Sequence, residues 1–339
     1  MTKIAIHYST SVFTKNWIEY CKKTNLDFKI VNCYDNDIVE QLKDVEIVLW
    51  HHNHANPKDV LFAKQLLFSL ESSGKKVFPD FNSGWHFDDK LGQKYLFESK
   101  DISHINTYAF YSKKEAVDWI EKSTFPKVFK LRRGAGAKNV KLIKNQNQAK
   151  SIINIAFGKG FRQYNAIGSI KEEIKKFSFN KTSLLNLLKA FVHFVYPIQL
   201  EKSQGRERGY VYFQDFIPNL SFDYRVKVIG DKLWAFKRMV RKGDFRASGS
   251  GNLVFDNSQI SIDLIKFGFM IADKLGSSCI AMDIVADANN VYRLIEVSYG
   301  FGFDEMEKKN GFWTKDFNFH NQEFDPFQLI IDDLLLKNN

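Results

Sequence analysis

The first 80 residues alternate between short apolar runs and amphipathic segments. The apolar runs predict strands at residues 3–8, 28–33, 45–52 and 75–78, and the amphipathic segments predict helices at 14–24, 38–43 and 58–73. Strands that alternate with helices are joined by right-handed crossovers and therefore lie parallel. The pattern predicts a small α/β domain built on a parallel sheet.

Two loops of unusual composition follow predicted strands of this sheet. Residues 51–54 read H-H-N-H after the third strand, and residues 83–86 read S-G-W-H after the fourth. Ligands gather at the carboxyl ends of parallel strands, so we expect substrate contacts from His52, His54 and His86. Three histidines in four residues also suggest a metal, but they lack the i, i+4 spacing of a helical zinc site. Substrate contact or plain loop polarity is therefore favoured.

A lysine and a glycine-rich loop lie near the middle of the chain. Residues 125–140 read F-P-K-V-F-K-L-R-R-G-A-G-A-K-N-V, which predicts a buried strand at 128–131 followed by a loop. Gly134 and Gly136 leave backbone N–H groups free to close on phosphate, toward which Lys130 would reach. An ordinary hairpin gives the same local pattern, so the loop alone does not establish phosphate binding.

Antiparallel hairpins are predicted farther along the chain. Residues 224–229 pair with 232–240, and residues 280–286 pair with 291–297. If residues 286 and 291 are partners, Asp283 lies opposite Leu294, and Glu296 is its diagonal neighbour on the same face. Two converging carboxylates suit Mg²⁺, which takes one or two carboxylates plus substrate phosphates. Solvated strand charges are the alternative, but both residues interrupt apolar strands, where an unpaired carboxylate is costly.

A strongly basic segment of predicted helical structure occupies residues 148–202. Its apolar stripe includes Leu184, Leu188 and Phe191 at helical spacing, beside several lysines. A core helix is the simpler interpretation. The alternative is an interfacial helix at residues 171–200 that rests on an anionic membrane surface, such as the inner face of a bacterial membrane, or on a partner protein.

Composition and charge indicate the expected cellular location of the protein but do not identify its binding partner. The 339 residues include 49 Lys and Arg against 39 Asp and Glu, a net charge of +10. This charge suits nucleotide phosphates, nucleic acid and anionic membranes alike. There is no signal-peptide core and no run of eighteen apolar residues, and the three cysteines lie far apart. We expect a cytoplasmic protein with reduced thiols.

The order and spacing of these blocks resemble the ATP-grasp superfamily over about residues 85–305. The blocks are a lysine at position 90, P-K-V-F-K-L-R-R-G-A-G-A, Y-F-Q-D-F-I, D-Y-R-V-K-V-I-G-D-K, an arginine at position 238, D-F-R-A-S-G-S-G, and D-I-V followed by I-E-V-S. No single block is specific, but their joint order is. The resemblance implies an α/β and α+β protein in which two lobes with antiparallel sheets clasp ATP, with Mg²⁺ as the second cofactor.

The same resemblance implies three parts and a nucleotide site. The parts are an N-terminal α/β domain at 1–87, a central ATP-binding lobe at 88–213 with the basic insert at about 150–208, and a C-terminal lobe with the metal site at 214–339. The residues expected to bind the nucleotide are Lys90, Lys130, Gly134 and Gly136 at the phosphates, and Gln214, Asp215, Phe216 and Ile217 at the adenine. Gln214 stands where a glutamate is common.

Catalytic and metal residues follow from the resemblance as well. Arg225 and Arg238 are similar to the residues that steady the γ-phosphate or acyl group. Asp283 and Glu296 are similar to the Mg²⁺ ligands, and Ser298 stands where the family usually has an asparagine. The residues expected to hold the substrate carboxylate or acyl phosphate are Arg246, Ser248, Gly249 and Ser250, because an arginine fork and exposed backbone donors suit both groups.

The expected activity is that of an ATP-dependent carboxylate–amine ligase acting on small-molecule substrates. The D-F-R-A-S-G-S-G and E-V-S-Y segments resemble a branch associated with bacterial capsule and surface-polysaccharide synthesis. One alternative is a kinase on the same scaffold, whose phosphorylated product persists. Another is a non-enzymic basic protein that binds nucleic acid or membrane, which leaves the paired carboxylates unexplained. Nucleic acid is therefore not the expected partner.

Overall fold

The computed structural model describes residues 2–134, 139–162, 205–241, 244–247 and 249–336. The strands are β1 (Ile4–His7), β2 (Phe28–Val31), β3 (Ile47–Leu49), β4 (Lys76–Phe78), β5 (Thr107–Phe110), β6 (Lys127–Lys130), β7 (Lys141–Ile143), β8 (Phe161–Arg162), β9 (Arg206–Glu207), β10 (Val211–Asp215), β11 (Phe222–Ile229), β12 (Lys232–Met239), β13 (Leu253–Val254), β14 (Cys279–Ala286), β15 (Tyr292–Ser298), β16 (Phe312–Thr314) and β17 (Phe319–His320). The α-helices are α1 (Val12–Lys23), α2 (Ile38–Gln41), α3 (Pro57–Ser72), α4 (Phe81–Gly84), α5 (Lys90–Ser99), α6 (Lys113–Glu121), α7 (Gln146–Ala156), α8 (Ile262–Leu275), α9 (Glu305–Lys309) and α10 (Pro326–Leu336).

The chain divides into two compact units. The first unit comprises Met1–Phe87, Tyr95–His104 and Asn219–Asn339, and the second comprises Asp88–Lys94 and Ile105–Pro218. The first unit contains the N-terminal sheet and a large antiparallel sheet, and the second contains a four-stranded antiparallel sheet. The predicted mixture of a parallel N-terminal sheet with antiparallel sheets is confirmed.

The N-terminal sheet has the order β2-β1-β3-β4, and all neighbouring strands are parallel. Its connecting helices begin at predictable caps. The Ser11 hydroxyl accepts the N–H of Thr14 at the start of α1, and the Asn56 side chain accepts the N–H of Lys58 at the start of α3. One face of the sheet packs on α3 through residues such as Val48, and the other face packs on α1.

Two local predictions in this region are wrong. The third strand is shorter than residues 45–52, since β3 spans only Ile47–Leu49. Residues 83–84 lie in the short helix α4 rather than in a loop. The helix forms because the Asp80 carboxylate accepts the N–H of Ser83 at 2.8 Å, which satisfies a donor at the helix start.

The antiparallel sheet of the first unit follows the path β15-β14-β11-β12-β16-β17, with β13 paired to β12. The β11–β12 hairpin turns at Gly230 and Asp231 as predicted. The predicted register of the β14–β15 hairpin is wrong, because Ala286 pairs with Tyr292 and not with residue 291. The Asp287 carboxylate accepts the N–H groups of Asn289 and Val291 and thereby closes a longer turn.

A bulge then changes the β14–β15 register once more. Ile284 pairs with Leu294, but Asp283 pairs with Glu296, so Ile295 is the extra residue. Asp283 therefore lies directly opposite Glu296, whereas the sequence predicted Leu294 at that position.

One face of this sheet packs on α8, and the main core of the first unit lies there. Val226, Leu233 and Met282 contribute to this core from three neighbouring strands. Gly268 of α8 permits the close approach, because a Cβ at that position would lie 2.8 Å from Leu233 Cδ1 and 2.9 Å from Val226 Cγ1. A larger side chain at this position would clash with the sheet.

The opposite face of the same sheet is apolar only at one end. There Trp234, Cys279 and Ala281 share a core with the N-terminal sheet, with α1 and with α10. The cysteines at positions 21, 33 and 279 are all buried and form no disulfide. The other end of this face carries charged residues, described below.

The second unit is built on a sheet of order β5-β10-β6-β7, in which all strands are antiparallel. Helices α6 and α7 cover one face, where Phe129 and Phe213 pack against Ile120 and Ile153. The predicted basic helix, with the surface contact expected at residues 171–200, lies outside the described residues. Among those that are described, no helix is both long and apolar enough to cross a bilayer.

The stability of the first unit should fall as the pH falls from 6.5 toward 4. His7 is buried in β1, and its Nδ1 accepts the N–H of Cys33 at 3.0 Å, which requires an unprotonated nitrogen. Burial lowers the pKa of His7 from the ordinary 6.5 to about 4. The unfolded chain therefore binds the proton more readily between these values, so stability is full above pH 6.5 and is lost toward pH 4.

The unfolding free energy of the parent protein should decrease between pH 7 and pH 5. In His7→Gln this decrease should be smaller by about 2 kcal/mol, measured by urea titration. The matched control is His320→Gln, which removes an imidazole at an exposed position. An unaltered pH dependence in His7→Gln would contradict the role of this imidazole.

Candidate functional site

Charged side chains occupy one end of the large sheet on the face opposite α8. Strand residues alternate between faces, so Asp223 and Arg225 of β11 point away from the core that contains Val226. Arg238 of β12 is the direct partner of Asp223, and Asp283 of β14 is the direct partner of Arg225. The pleat therefore places all four charged residues side by side.

These side chains form a continuous ion-pair network. Arg238 makes a two-pronged contact with Asp223, donating from Nε to Oδ1 and from Nη2 to Oδ2 at 2.7 Å each. Arg238 Nη2 also lies 2.7 Å from Oδ2 of Asp283. Arg225 Nη1 lies 3.1 Å from Oδ1 of the same carboxylate. Both arginines are thus oriented by carboxylates before any ligand binds.

Burial disfavours the charged forms of these side chains, whereas ion pairing stabilises them. Burial raises the pKa of Asp223, against the lowering effect of Arg238. Burial also lowers the pKa of Arg238, but the charges of Asp283 and Asp223 raise it by more, so the net shift is upward. The guanidinium of Arg238 remains charged at any physiological pH.

Glu296 adds a third carboxylate beside Asp283. The direct pairing of these two residues across β14 and β15 confirms that they share a face. Among these five described residues, the three carboxylates and the two guanidinium groups carry a formal net charge of −1. A divalent cation would change this to +1, which favours phosphate.

The donor set fits Mg²⁺, which prefers hard oxygen ligands and takes few protein carboxylates when phosphates supply the rest. Ser298 lies two residues after Glu296, and its hydroxyl donates to Gly300 O at 2.6 Å, leaving the lone pairs of Oγ as acceptors. The described part of the chain contains no group of three or more His, Cys, Asp or Glu residues suited to a metal. A magnesium site here would therefore depend on ligand oxygens.

A buried ion pair that no sequence pattern indicated adjoins the site. Lys227 follows Arg225 on the same face of β11, and Lys227 and Glu307 are each only 1% exposed. Lys227 Nζ donates to Glu307 Oε2 at 2.5 Å and to Gly302 O at 2.8 Å. Trp234 Nε1 donates to the same carboxylate oxygen at 2.7 Å. Burial lowers the pKa of Lys227 to about 8 despite the opposing charge of Glu307.

This pair holds the segment that follows Ser298 against the sheet. The Lys227 ammonium lies 4.5 Å from the ring centre of Phe301, and Glu307 Oε1 accepts the N–H of Asp304 at 3.0 Å. The alternating charges of D-Y-R-V-K within an apolar strand were a signal for Lys227 and Asp223. No sequence signal joins Lys227 to Glu307, because they lie 80 residues apart.

The predicted substrate-carboxylate loop is only partly described. Ser248 lies outside the described residues. Arg246 pairs with Asp244, with Nη2 2.7 Å from Oδ2. Gly249 has φ +72°, a conformation that favours glycine, and the N–H of Ser250 donates to Ala247 O at 3.1 Å. The roles predicted for Arg246, Gly249 and Ser250 stay predictions.

The predicted nucleotide residues lie in the second unit. Lys130, at the end of β6, and Lys90, at the start of α5, are both buried. Lys90 Nζ donates to Gly134 O at 2.9 Å, which joins the lysine to the first glycine of the loop. Gly136 lies outside the described residues.

The predicted adenine contacts end β10 and continue beyond it. Gln214 is buried between Thr107 and Val128 of the neighbouring strands. The Asp215 carboxylate accepts from Lys127 Nζ at 2.6 Å and from Asn106 Nδ2 at 3.1 Å. Phe216 and Ile217 are half-buried. Asp215 therefore has protein partners that the sequence did not reveal.

The histidines of the first unit occupy different environments. His52 is buried, and its Nε2 has no hydrogen-bond partner among the described residues. The Tyr299 hydroxyl donates to His52 O at 2.8 Å, so this loop contacts the residue that follows Ser298. The ring of His54 lies 5.7 Å from that of Phe87. His86 is fully buried, with Nε2 3.0 Å from Asn82 O, and its predicted substrate contact stays a prediction.

Part of the chain matches a known protein family, and its fold is similar to several solved structures. A model of the RimK-like ATP-grasp domain matches residues 203–315, which include the charged residues of the sheet. The chain is similar in structure to a RimK-domain ATP-grasp protein from Sphaerobacter thermophilus DSM 20745, with 15% identity, a TM-score of 0.56, and coverage of 98% of this chain and 100% of the other. No curated protein sequence matches the present chain.

Two further structures are similar at comparable levels. The ATP-grasp ligase PsnB, complexed with a minimal precursor, Mg and ADP, has 12% identity and a TM-score of 0.54, covering 99% of this chain and 97% of its own. N5-carboxyaminoimidazole ribonucleotide synthetase from Thermotoga maritima has 12% identity and a TM-score of 0.53, with coverage of 88% of this chain and 68% of the synthetase chain. These likenesses show that the chain has the ATP-grasp fold.

Removing either member of the Lys227–Glu307 pair should destabilise the first unit strongly, because the remaining charge stays buried without its partner. We expect Lys227→Met or Glu307→Gln alone to cost about 3–5 kcal/mol of unfolding free energy. The double variant should cost clearly less than the sum of the two, measured by urea titration of all variants.

The matched control is the exposed pair of Lys315 and Asp273, whose charged atoms are 2.7 Å apart with side chains 52% and 61% exposed. Lys315→Met should change the unfolding free energy by less than about 1 kcal/mol. Additive costs in the Lys227 and Glu307 variants would show that the pair is not coupled.

Proposed function

We propose that this chain is an ATP-dependent ligase that joins a carboxylate to an amine through an acyl phosphate. The observation that carries the proposal is the direct pairing of Asp283 with Glu296 on the sheet face that also presents Arg225 and Arg238. This cluster lies within the segment that matches the RimK-like ATP-grasp domain.

ATP and Mg²⁺ are the cofactors that the comparisons support, since the similar structures include a ligase complexed with Mg and ADP. Asp283 and Glu296 would hold Mg²⁺, with Ser298 as a weaker third ligand. When bound, the ion would offset phosphate charge and fix the orientation of the phosphate oxygens. Lys90, Lys130, Gly134 and Gly136 would bind the phosphates, and residues 214–217 the adenine.

The arginines supply the electrostatic part of the reaction. A carboxylate oxygen of the substrate attacks the γ-phosphorus as the bond to ADP breaks, and the charge spreads over the phosphoryl oxygens. Arg225 and Arg238 would stabilise that charge, and they need little reorganisation because Asp283 and Asp223 already orient them. The amine then attacks the acyl carbon, phosphate leaves, and the amine proton passes to solvent.

Substrate recognition would fall to the flanking loops. Arg246 and residues 248–250 would hold the carboxylate or acyl phosphate, because a guanidinium and free backbone donors suit both. His52 and His54 would contact the amine substrate, which is consistent with the hydrogen bond from Tyr299 to the loop of His52. The D-F-R-A-S-G-S-G segment supports a role in bacterial surface-polysaccharide modification.

Phosphorus NMR of the protein with ATP, Mg²⁺ and a pool of amino acids and uronic acids tests the reaction. ADP and inorganic phosphate that form only with the pool would support a ligase. ADP with a new and persistent phosphorus resonance would instead identify a kinase. A lack of turnover with this pool and with peptide substrates would contradict the enzymatic proposal; peptides are included because PsnB is complexed with a precursor peptide.

Glu296→Gln should leave the fold intact and reduce turnover by several orders of magnitude, about 10³-fold or more, because the amide supplies no negative charge for the metal. Turnover is measured by ADP release, and folding by thermal unfolding. Glu305→Gln, at a side chain 80% exposed, is the matched control. Near-normal turnover of Glu296→Gln would refute the metal assignment.

Lys130→Ala should chiefly weaken ATP affinity, by about tenfold to a hundredfold, since it removes one buried cation from the phosphates. Isothermal calorimetry gives the affinity directly. Lys141→Ala, at an exposed position of β7, should have no such effect. Equal ATP affinity of Lys130→Ala and the parent protein would contradict the phosphate role.

A further inference from the structure

Two aspartates lie beside the proposed phosphate-binding loop, where their charge would repel phosphate. Asp88 and Asp89 directly precede Lys90. None of the roles assigned above explains them. Their contacts lie within the second unit.

Asp88 contacts the base of the loop directly. Its Oδ1 accepts the N–H of Gly134 at 2.8 Å. Lys90 Nζ donates to Gly134 O at 2.9 Å, and the backbone N–H of Lys90 donates to Arg132 O at 3.0 Å. The N–H and C=O groups of Gly134 are thus both held by the three-residue segment 88–90.

Asp89 holds the same part of the loop through a side chain. Its Oδ1 accepts from Arg132 Nε at 2.9 Å, and its Oδ2 accepts from Arg132 Nη2. The same carboxylate accepts the N–H of Gly92 at 3.0 Å, within the first turn of α5. The guanidinium offsets the negative charge that Asp89 would otherwise direct at a phosphate.

A tyrosine fixes Arg132 through a different group. The Tyr210 hydroxyl accepts the backbone N–H of Arg132 at 2.7 Å and donates to the Glu207 carboxylate. Burial raises the pKa of Tyr210, so this hydroxyl keeps its proton. Gly134 itself has φ +119°, a conformation that other residues adopt only with strain. Residues 132–134 are therefore constrained in both backbone and side chain.

We propose that Asp88 and Asp89 are positioning residues that fix residues 132–134 before the nucleotide binds. A loop whose base is already ordered loses less conformational entropy when phosphate binds, which raises affinity without any contact between the aspartates and ATP. The inference rests on the proposed function, because it assumes that Gly134 and the residues after it bind phosphate.

The test separates the hydrogen bond of Asp88 from its charge. Asp88→Ala removes both, whereas Asp88→Asn keeps an acceptor oxygen for the N–H of Gly134 and removes only the charge. The affinities of each variant for ATP and for adenosine are measured by isothermal calorimetry. Asp118→Ala on α6, whose side chain is 54% exposed, is the matched control.

We expect Asp88→Ala to weaken ATP binding about tenfold and to leave adenosine binding unchanged, because adenosine has no phosphates to meet the loop. Asp88→Asn should stay within about threefold of the parent protein for ATP. An equal loss of ATP and adenosine affinity would indicate general damage and would overturn the proposal. Tighter ATP binding by Asp88→Ala would show that Asp88 acts by repulsion, which also overturns it.

The parent protein distinguishes this proposal from the one on which it rests. If the parent binds ATP no more tightly than adenosine, the phosphate assignment fails, and the positioning role fails with it. If the parent clearly prefers ATP but Asp88→Ala retains that preference, only the positioning role is refuted.

Discussion

The charged face of the large sheet depends on one shared carboxylate. Asp283 contacts both Arg225 and Arg238, and Arg238 is held in turn by Asp223. A buried charge without a partner costs several kcal/mol, so none of these groups would be tolerated there alone. Their sharing allows a cluster of ions to lie on strands whose opposite face forms an apolar core.

The pleat of β11 explains how one sheet carries an apolar core on one face and charged residues on the other. Successive residues point to opposite faces, so Val226 and Val228 enter the core under α8 while Arg225 and Lys227 face away from it. Gly268 lets helix α8 pack closely against these strands, since a Cβ there would clash with Leu233 and Val226. The ionic cluster therefore lies on strands whose opposite face is closely packed.

Local sequence patterns predicted much of the fold, but they could not predict contacts between residues far apart in the chain. Alternating apolar and amphipathic segments indicated the parallel N-terminal sheet, and the turn at residues 230–231 indicated the β11–β12 hairpin. The β14–β15 register was missed because it depends on the side chain of Asp287, which closes the turn. The partners of Lys227 and Arg132 were missed because only the folded chain brings Glu307 and Tyr210 to them.

The bulge at Ile295 has a consequence for the orientation of Glu296. Without it, the observed pairing of Ala286 with Tyr292 would continue, and Asp283 would face residue 295. Glu296 would then point into the core beside α8, since neighbouring strand residues face opposite ways. The longer turn reverses the orientation of every later side chain, and the extra residue restores it. The longer turn and the bulge each move the later side chains to the opposite face, so together they leave Glu296 on the face of Asp283. A protein with only one of them would have its second carboxylate on the wrong side of the sheet.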